Sequence, residues 1–274
     1  MRVNYKVAKT WNELNDWQIK MIGYFMFQNR DKETELTFSK QLVIVVLFLV
    51  KPTFKNFIKL FVLLYNHPFS DLLPYADFLF DKQNTLTRFP KSIKVGKFPF
   101  RKTLYGPATR LANVTIEELS YADTFYYKWA TTKDLNDLHR LAAIFYRSKS
   151  KFPIPEDERV PFNSLVLEAN ADKTDFIPMH VKFMIAKAYE GCRENFIKRN
   201  PHVFPQRKTT EGEEPVAKKP KPYRPFSKII DSFAMDEVQI FGNHQQVEKV
   251  YAPKFLSIYE ESIKRQNERE RQRK

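Results

Sequence analysis

Leu119, Ala122, Tyr126 and Trp129 follow one another at steps of three and four, so they fall on one side of an α-helix. Thr115 and Glu118 stand directly ahead of them at capping-box spacing. A hydroxyl there can accept a backbone N–H bond while the Glu reaches back to the cap residue. The same pattern recurs at Thr10 and Glu13, ahead of Leu14, Trp17, Met21 and Phe25. Leu135, Leu138, Leu141, Ala142 and Phe145 make a third stripe, and "PMHVKFMIAKAYEGCRENFIKRN" reads as a further helix. Such stripes have to be buried against one another, so the expected fold is mainly α, a multi-helix bundle. Aromatic residues fill it, with 25 Phe, 13 Tyr and 3 Trp against 6 Gly, which leaves few flexible loops to cradle a phosphate.

The helical core is expected over residues 1–198. "VNYKV" alternates as a short strand does. "ETELTFSKQLVIVVLFLV" mixes strand-like and helix-like signals, and its length favours a buried helix. Pro52 interrupts it. "TFKNFIKLFVLLY" resumes with Phe54, Phe57, Phe61 and Leu64 inward, and "FSDLLPYADFLFD" adds a short helix with Ser70 as cap. "SKSKFPIPEDERVPF" carries three prolines and reads as a loop. Residues 199–225 are polar, basic and Pro-rich, the composition of a flexible linker. Residues 226–274 form a C-terminal helical region. Its last helix carries i,i+4 pairs Glu260–Lys264, Glu261–Arg265 and Glu270–Lys274, and from Asn267 on it has no apolar residue.

The net charge of +14 is unevenly spread. Residues 82–110 hold 8 Lys or Arg and no acidic residue. They form a basic insertion, extended or a small hairpin, broken by prolines and Gly96. Within it Lys91, Lys94, Lys97, Arg101 and Lys102 alternate with Phe89, Phe98, Phe100 and Tyr105. Cations of this kind bind phosphates while the rings stack on bases, so nucleic acid is one expected partner. An acidic protein is another. The plainer reading is a solvated loop whose rings dock onto the helices.

Other chemistry finds little support. Cys192 is the only cysteine, which excludes an intrachain disulfide and favours a reducing setting. His67, His139, His180, His202 and His244 lie apart, without metal-ligand spacing, so no metal or cofactor is expected. Glu117 and Glu118 suit a helix start, and Glu156, Asp157 and Glu158 sit in the Pro-flanked loop as solvated charges. No catalytic residue is assigned. Tyr105-Gly106-Pro107 reads as a fold-defining turn rather than a catalytic loop. The apolar run from Gln41 to Val50 is too short for a bilayer span of about 20 residues. With no apolar signal core in "MRVNYKVAKT", a soluble protein is expected.

Several of these stretches resemble an uncharacterised family from phages and prophage regions of Bacteroidota. They are "TWNELNDWQ" at 10–18, "LLPYADFLFD" at 72–81, "LYGPATRLANVTIEELSYADTFYYKW" at 104–129 and "DLHRLAAIFYR" at 137–147. Val114 and Leu119 depart from the family's Leu and Phe. The resemblance covers about residues 10–147 and implies a tail or virion gene neighbourhood. It points to a non-enzymatic structural protein or tail-assembly chaperone, in host cytoplasm or virion, with other phage proteins or further copies of itself as partners. A nucleic-acid-binding protein using residues 82–110 is the alternative.

Overall fold

The computed structural model describes residues 7–28, 58, 62, 65, 68–81, 83–96, 99, 101–204 and 244–272. It is mainly helical, with two small antiparallel hairpins. Helix α1 spans Asp16–Gln28. Strands β1 (Ser92–Val95) and β2 (Lys102–Tyr105) form the first hairpin. Helices α2 (Ile116–Thr132) and α3 (Leu135–Phe145) follow, then strands β3 (Lys149–Ile154) and β4 (Asp157–Arg159). Helices α4 (Leu167–Thr174), α5 (Met179–Arg199), α6 (His244–Glu248) and α7 (Ala252–Gln272) complete the order.

α3 is the central element and packs against α2, α4 and α5, while α1 lies against α5. Its stripe broadens at the C-terminal end, where Leu141 through Phe145 are all buried. Phe145 meets Phe89 at 5.4 Å and Tyr189 at 5.7 Å between ring centroids, and Tyr189 meets Tyr126 at 5.2 Å. Trp129 continues the chain of rings to Phe183 at 6.2 Å. Tilted and edge-on aromatic pairs at these separations add to simple area burial. Leu135, expected inward, is 40% exposed because α3 begins there and its first turn overhangs the core. Asp134 caps that turn by accepting from the Asn136 N–H at 2.9 Å.

The two capping boxes have different fates. Thr115 caps α2 by accepting from the Glu118 N–H at 3.2 Å. Thr10 makes no such bond, and Trp11–Glu13 is only a 3-10 turn. The reciprocal pair forms later: Asn15 Oδ1 accepts from the Gln18 N–H at 2.9 Å, and Gln18 Oε1 accepts from the Asn15 N–H at 2.8 Å. α1 therefore starts at Asp16, which rotates its buried face onto Ile19, Ile22 and Gly23 and leaves Trp17 exposed. Phe69–Leu79 is also a 3-10 helix, capped at Pro68 rather than Ser70, and Pro74 lies inside it. The apolar stretch at 32–57 and the linker over 205–225 lie outside the described residues.

Residues 84–91 run along residues 9–16. Asn12 Oδ1 accepts from the Thr87 N–H at 3.1 Å, and Asn84 Oδ1 from the Trp11 N–H at 3.4 Å. Arg88 pairs with Asp16 at 2.5 Å and donates to the Leu14 carbonyl at 2.6 Å. The basic insertion is thus tied down at its start. The C-terminal region joins the same core: Val247, Ala252, Phe255 and Leu256 are fully buried, and α2 and α7 are linked by Ile116 N–H to Val250 O and Ala252 N–H to Val114 O, both 2.8 Å. Glu260 holds the chain after α5, accepting from the His202 and Val203 N–H groups at 3.0 and 2.9 Å.

Gly106 is required by close approach, not by an unusual φ as the turn signal implied. A Cβ there would lie 2.6 Å from the Pro90 carbonyl oxygen and 2.9 Å from the Tyr146 ring. The Tyr146 hydroxyl donates to that same carbonyl at 2.8 Å, so the ring cannot easily retreat. The corner continues through Arg110 and Leu111, both at positive φ (59° and 57°), held by the fully buried Leu111 and by the Arg110 N–H to Thr87 O bond at 2.9 Å. Gly106→Ala is expected to destabilise the protein by about 1–3 kcal/mol in urea unfolding through overpacking. An exposed, unconstrained glycine would instead gain about 0.4–1 kcal/mol from the same change, so the sign of the shift decides the matter.

Candidate functional site

The β1–β2 ribbon carries the cations that the sequence singles out. Its register pairs Ile93 with Leu104, Lys94 with Thr103, Ser92 with Tyr105 and Val95 with Lys102. Because side chains alternate, Ile93, Val95 and Leu104 are buried on the inner face. Lys94 and Tyr105 share the outer face. Lys102 stands opposite the buried Val95, on the inner-facing side, and is itself exposed. Lys91 and Arg101, at the two ends, are also exposed, and the Lys91 N–H donates to Asp16 at 2.9 Å. Lys97, Phe98 and Phe100 lie outside the described residues. The ribbon therefore spreads its cations over two sides. Lys149 joins them from β3, its ammonium 5.7 Å from the Tyr105 ring and 3.1 Å from Glu158.

The second hairpin corrects the expectation of a loop, and of its three acids Glu156 and Glu158 are exposed as expected while Asp157 is drawn inward. Arg159 is fully buried and uses its whole guanidinium. It donates to Asp157 from Nε and Nη2, both 2.8 Å, to Phe145 O at 3.0 Å and to Asn113 O at 3.2 Å, with Glu118 at 3.5 Å. Arg147, also buried, donates to Glu118 at 2.9 Å and to Ile144 O at 2.6 Å. Two guanidinium and two carboxylate groups thus close a neutral network that joins α2, the end of α3 and β4. Local spacing assigns Glu118 to the helix cap and Asp157 to solvent. One signal of burial was present: Glu118, Ala122, Tyr126 and Trp129 are themselves at helical spacing, so Glu118 shares the apolar stripe. An acid there requires a buried partner.

One donor in the network is unmet. Arg147 Nε is buried without an acceptor among the described residues. An unpartnered buried N–H costs about 1–3 kcal/mol. Arg147 lines a cavity of about 120 Å³ between the two hairpins and α4, together with Ser148, Asn170, Lys173 and Thr174.

A third buried cation, Lys182 on α5, has no signal in its "VKFM" setting. Its ammonium is 2.6 Å from His139 Nδ1 and 3.7 Å from Asp175, and it donates to Asp175 O at 3.3 Å. Burial pulls Lys182 down to about 8, partly offset by Asp175. Burial and the Lys182 charge lower His139 as well. The same His139 Nδ1 lies 2.9 Å from the Asp175 carboxylate, whose charge opposes that lowering. Cys192 is buried against Thr87 O at 3.5 Å, and burial pushes its thiol up to about 12, so it is neither ionised nor nucleophilic at neutral pH. Among the described residues no three His, Cys, Asp or Glu side chains gather as a metal site, and no helix is long and apolar enough to cross a membrane.

No family model, curated protein or solved structure matches the chain.

Two measurements check these assignments. Arg159→Ala should cost about 3–5 kcal/mol of unfolding free energy, because it leaves Arg147 alone to balance two carboxylates, Glu118 and the largely buried Asp157. A cost under about 1 kcal/mol would mean that the network is hydrated. Lys182, depressed in the folded state, binds fewer protons there than in the unfolded chain between pH 8 and 10.5. Its contribution to stability therefore rises with pH across that window. Relative to Lys182→Met, the parent protein should gain stability from pH 8 to 10; a constant difference would contradict the assignment.

Proposed function

We propose that the protein is a non-enzymatic structural or assembly component, of the phage tail or virion kind that its sequence resembles, working through contacts with other proteins. The observation that carries this reading is the β3–β4 hairpin. Its base is gripped by the buried Arg159 network, yet Phe152 on β3 is 89% exposed and Ile154 is 53% exposed. Leu165, just beyond, is 92% exposed. Large apolar side chains held outward on a firmly rooted arm favour docking, since little ordering entropy remains to be lost. The partners proposed are other phage structural or assembly proteins or further copies of this chain, met in the host cytoplasm or the virion.

The alternative, nucleic-acid binding, draws on the exposed Lys91, Lys94, Arg101 and Lys102 of the first hairpin, with Lys94 and Tyr105 on one face. Spread over two sides of the ribbon, these cations suit backbone contact better than a flat stacking platform.

Mass spectrometry of purified virions, with pull-down against the products of flanking genes, tests the first reading. The chain should be found in particles or with one flanking product. A Phe152→Ser, Ile154→Ser double variant should lose that association with Tm unchanged, because both residues are exposed. Association that survives the double variant would move the contact elsewhere, and no association in either assay would sink the proposal. For the alternative, binding to a DNA duplex should weaken with salt. The log–log slope should fall by about 0.9 for each phosphate left unneutralised when Lys94, Lys97 and Arg101 become Ala. Undetectable or salt-independent binding would remove it.

A further inference from the structure

We infer that the outer edge of β2 is a docking site for an extended, acidic peptide segment of a partner protein, added to the first hairpin as a third strand. The inference rests on the reading of the protein as one that works through protein contacts, and it assigns a contact separate from the Phe152 arm.

The hydrogen-bond pattern identifies the edge. The Gly106 N–H donates to Lys91 O at 2.9 Å, so these two residues form a bonded pair at the end of the ladder. Bonded and unbonded pairs alternate along an antiparallel ladder. In the observed register Ile93–Leu104 and Val95–Lys102 are then the bonded pairs, and Thr103 and Tyr105 turn their main-chain groups away from β1. Tyr105 fits this assignment, since its N–H and C=O bond Arg147 at 2.8 and 3.2 Å. That pair starts a third strand, which ends at once. The next residue, Ser148, gives its carbonyl to the Val160 N–H at 2.9 Å, and the chain leaves for a separate sheet. Thr103 keeps an outward N–H and C=O with no main-chain partner among the described residues. An added strand would take both, in line with Arg147.

Charge selects the occupant. Lys94 stands on the outer face of the ribbon, Lys102 on the inner-facing side and Arg101 at the end of β2. All three are exposed, and none has an ion-pair partner among the described residues. Residues 82–110 contain no acid to neutralise them. Side chains of an added strand alternate between the two faces of a sheet. A strand rich in Asp or Glu therefore meets a cation on either face, while its main chain completes Thr103. Main-chain bonds supply affinity in this mode and the flanking side chains supply specificity. A nucleic acid has no amide ladder to offer Thr103. A second copy of the ribbon would bring the same positive charge against this edge, as lysine-bearing edges do to prevent self-pairing.

The test is fluorescence anisotropy of the full chain with a labelled, acetylated peptide of alternating Glu and Val, which should bind saturably. The same peptide with its backbone nitrogens methylated keeps the charge and loses the donors, and should bind at least about fivefold more weakly. A peptide with Lys in place of Glu should not bind. An Arg101→Glu, Lys102→Glu variant should bind the acidic peptide about tenfold more weakly with Tm unchanged, because both side chains are exposed. Thr103→Pro removes the outward N–H of β2, and Ser92→Pro removes one from the opposite edge; proline is tolerated at such edges. Binding should fall with the first and persist with the second. The Phe152→Ser, Ile154→Ser variant should keep peptide binding, so this inference and the reading of the second hairpin fail separately. No peptide binding, equal binding of the methylated peptide, or equal binding of a single-stranded oligonucleotide of the same charge would overturn the site. So would self-association in ultracentrifugation that Thr103→Pro abolishes, which would put a second copy on the edge instead.

Discussion

Four charged side chains, three of them buried and the fourth, Asp157, 11% exposed, tie three parts of this fold together. Glu118 comes from α2, Arg147 from the segment just after α3, and Asp157 and Arg159 from β4. Burying any one alone would cost several kcal/mol. Buried together, with the carbonyls of Asn113, Ile144 and Phe145 taking further guanidinium protons, they exchange that penalty for directed bonds. The planar fork of each arginine admits few alternative geometries, so the network adds direction to the apolar packing of the same elements.

The same corner positions everything that reaches outward. The Tyr105 N–H donates to Arg147 O at 2.8 Å and the Arg147 N–H to Tyr105 O at 3.2 Å, so the first hairpin is bonded to the residue that anchors the network. The second hairpin springs from Arg159 itself. The cationic ribbon, the Phe152 and Ile154 arm and the cavity between them therefore share one rigid root. Rigid presentation suits recognition by contact, where the entropy of ordering a loop would otherwise be subtracted from the affinity. The two hairpins differ in what they expose, cations on one and large apolar side chains on the other, which would let them engage different surfaces of an assembly.

The buried Lys182 shows how a perturbed group can be structural. Its low proton affinity follows from burial, and its neighbours, His139 and Asp175, are arranged to absorb its donors. In the same way Cys192 is a small apolar filler against Thr87. Both lie within the packed helices, away from the two hairpin surfaces that carry the functional proposal.

Helical class, the stripes of α2 and α3, the Thr115 cap and the hairpin option for the basic insertion were legible from residue order, because each follows from local spacing or turn chemistry. Where α1 begins was not. Thr10–Glu13 and Asn15–Gln18 both satisfy capping rules, and only packing of Ile19 and Ile22 against α5 chooses between them. Gly106 could be marked as special, but its reason lies in Pro90 and Tyr146, distant in the chain and adjacent in space. The pairing of Glu118 with Arg147 and Arg159 spans 29 and 41 residues. Sequence alone determined the apolar faces of α2 and α3 and where positive charge concentrates, since both are properties of neighbouring residues. Which charges would be buried, and against what, was decided by tertiary structure, because a carboxylate's stability in the core depends on a partner that only folding brings to it.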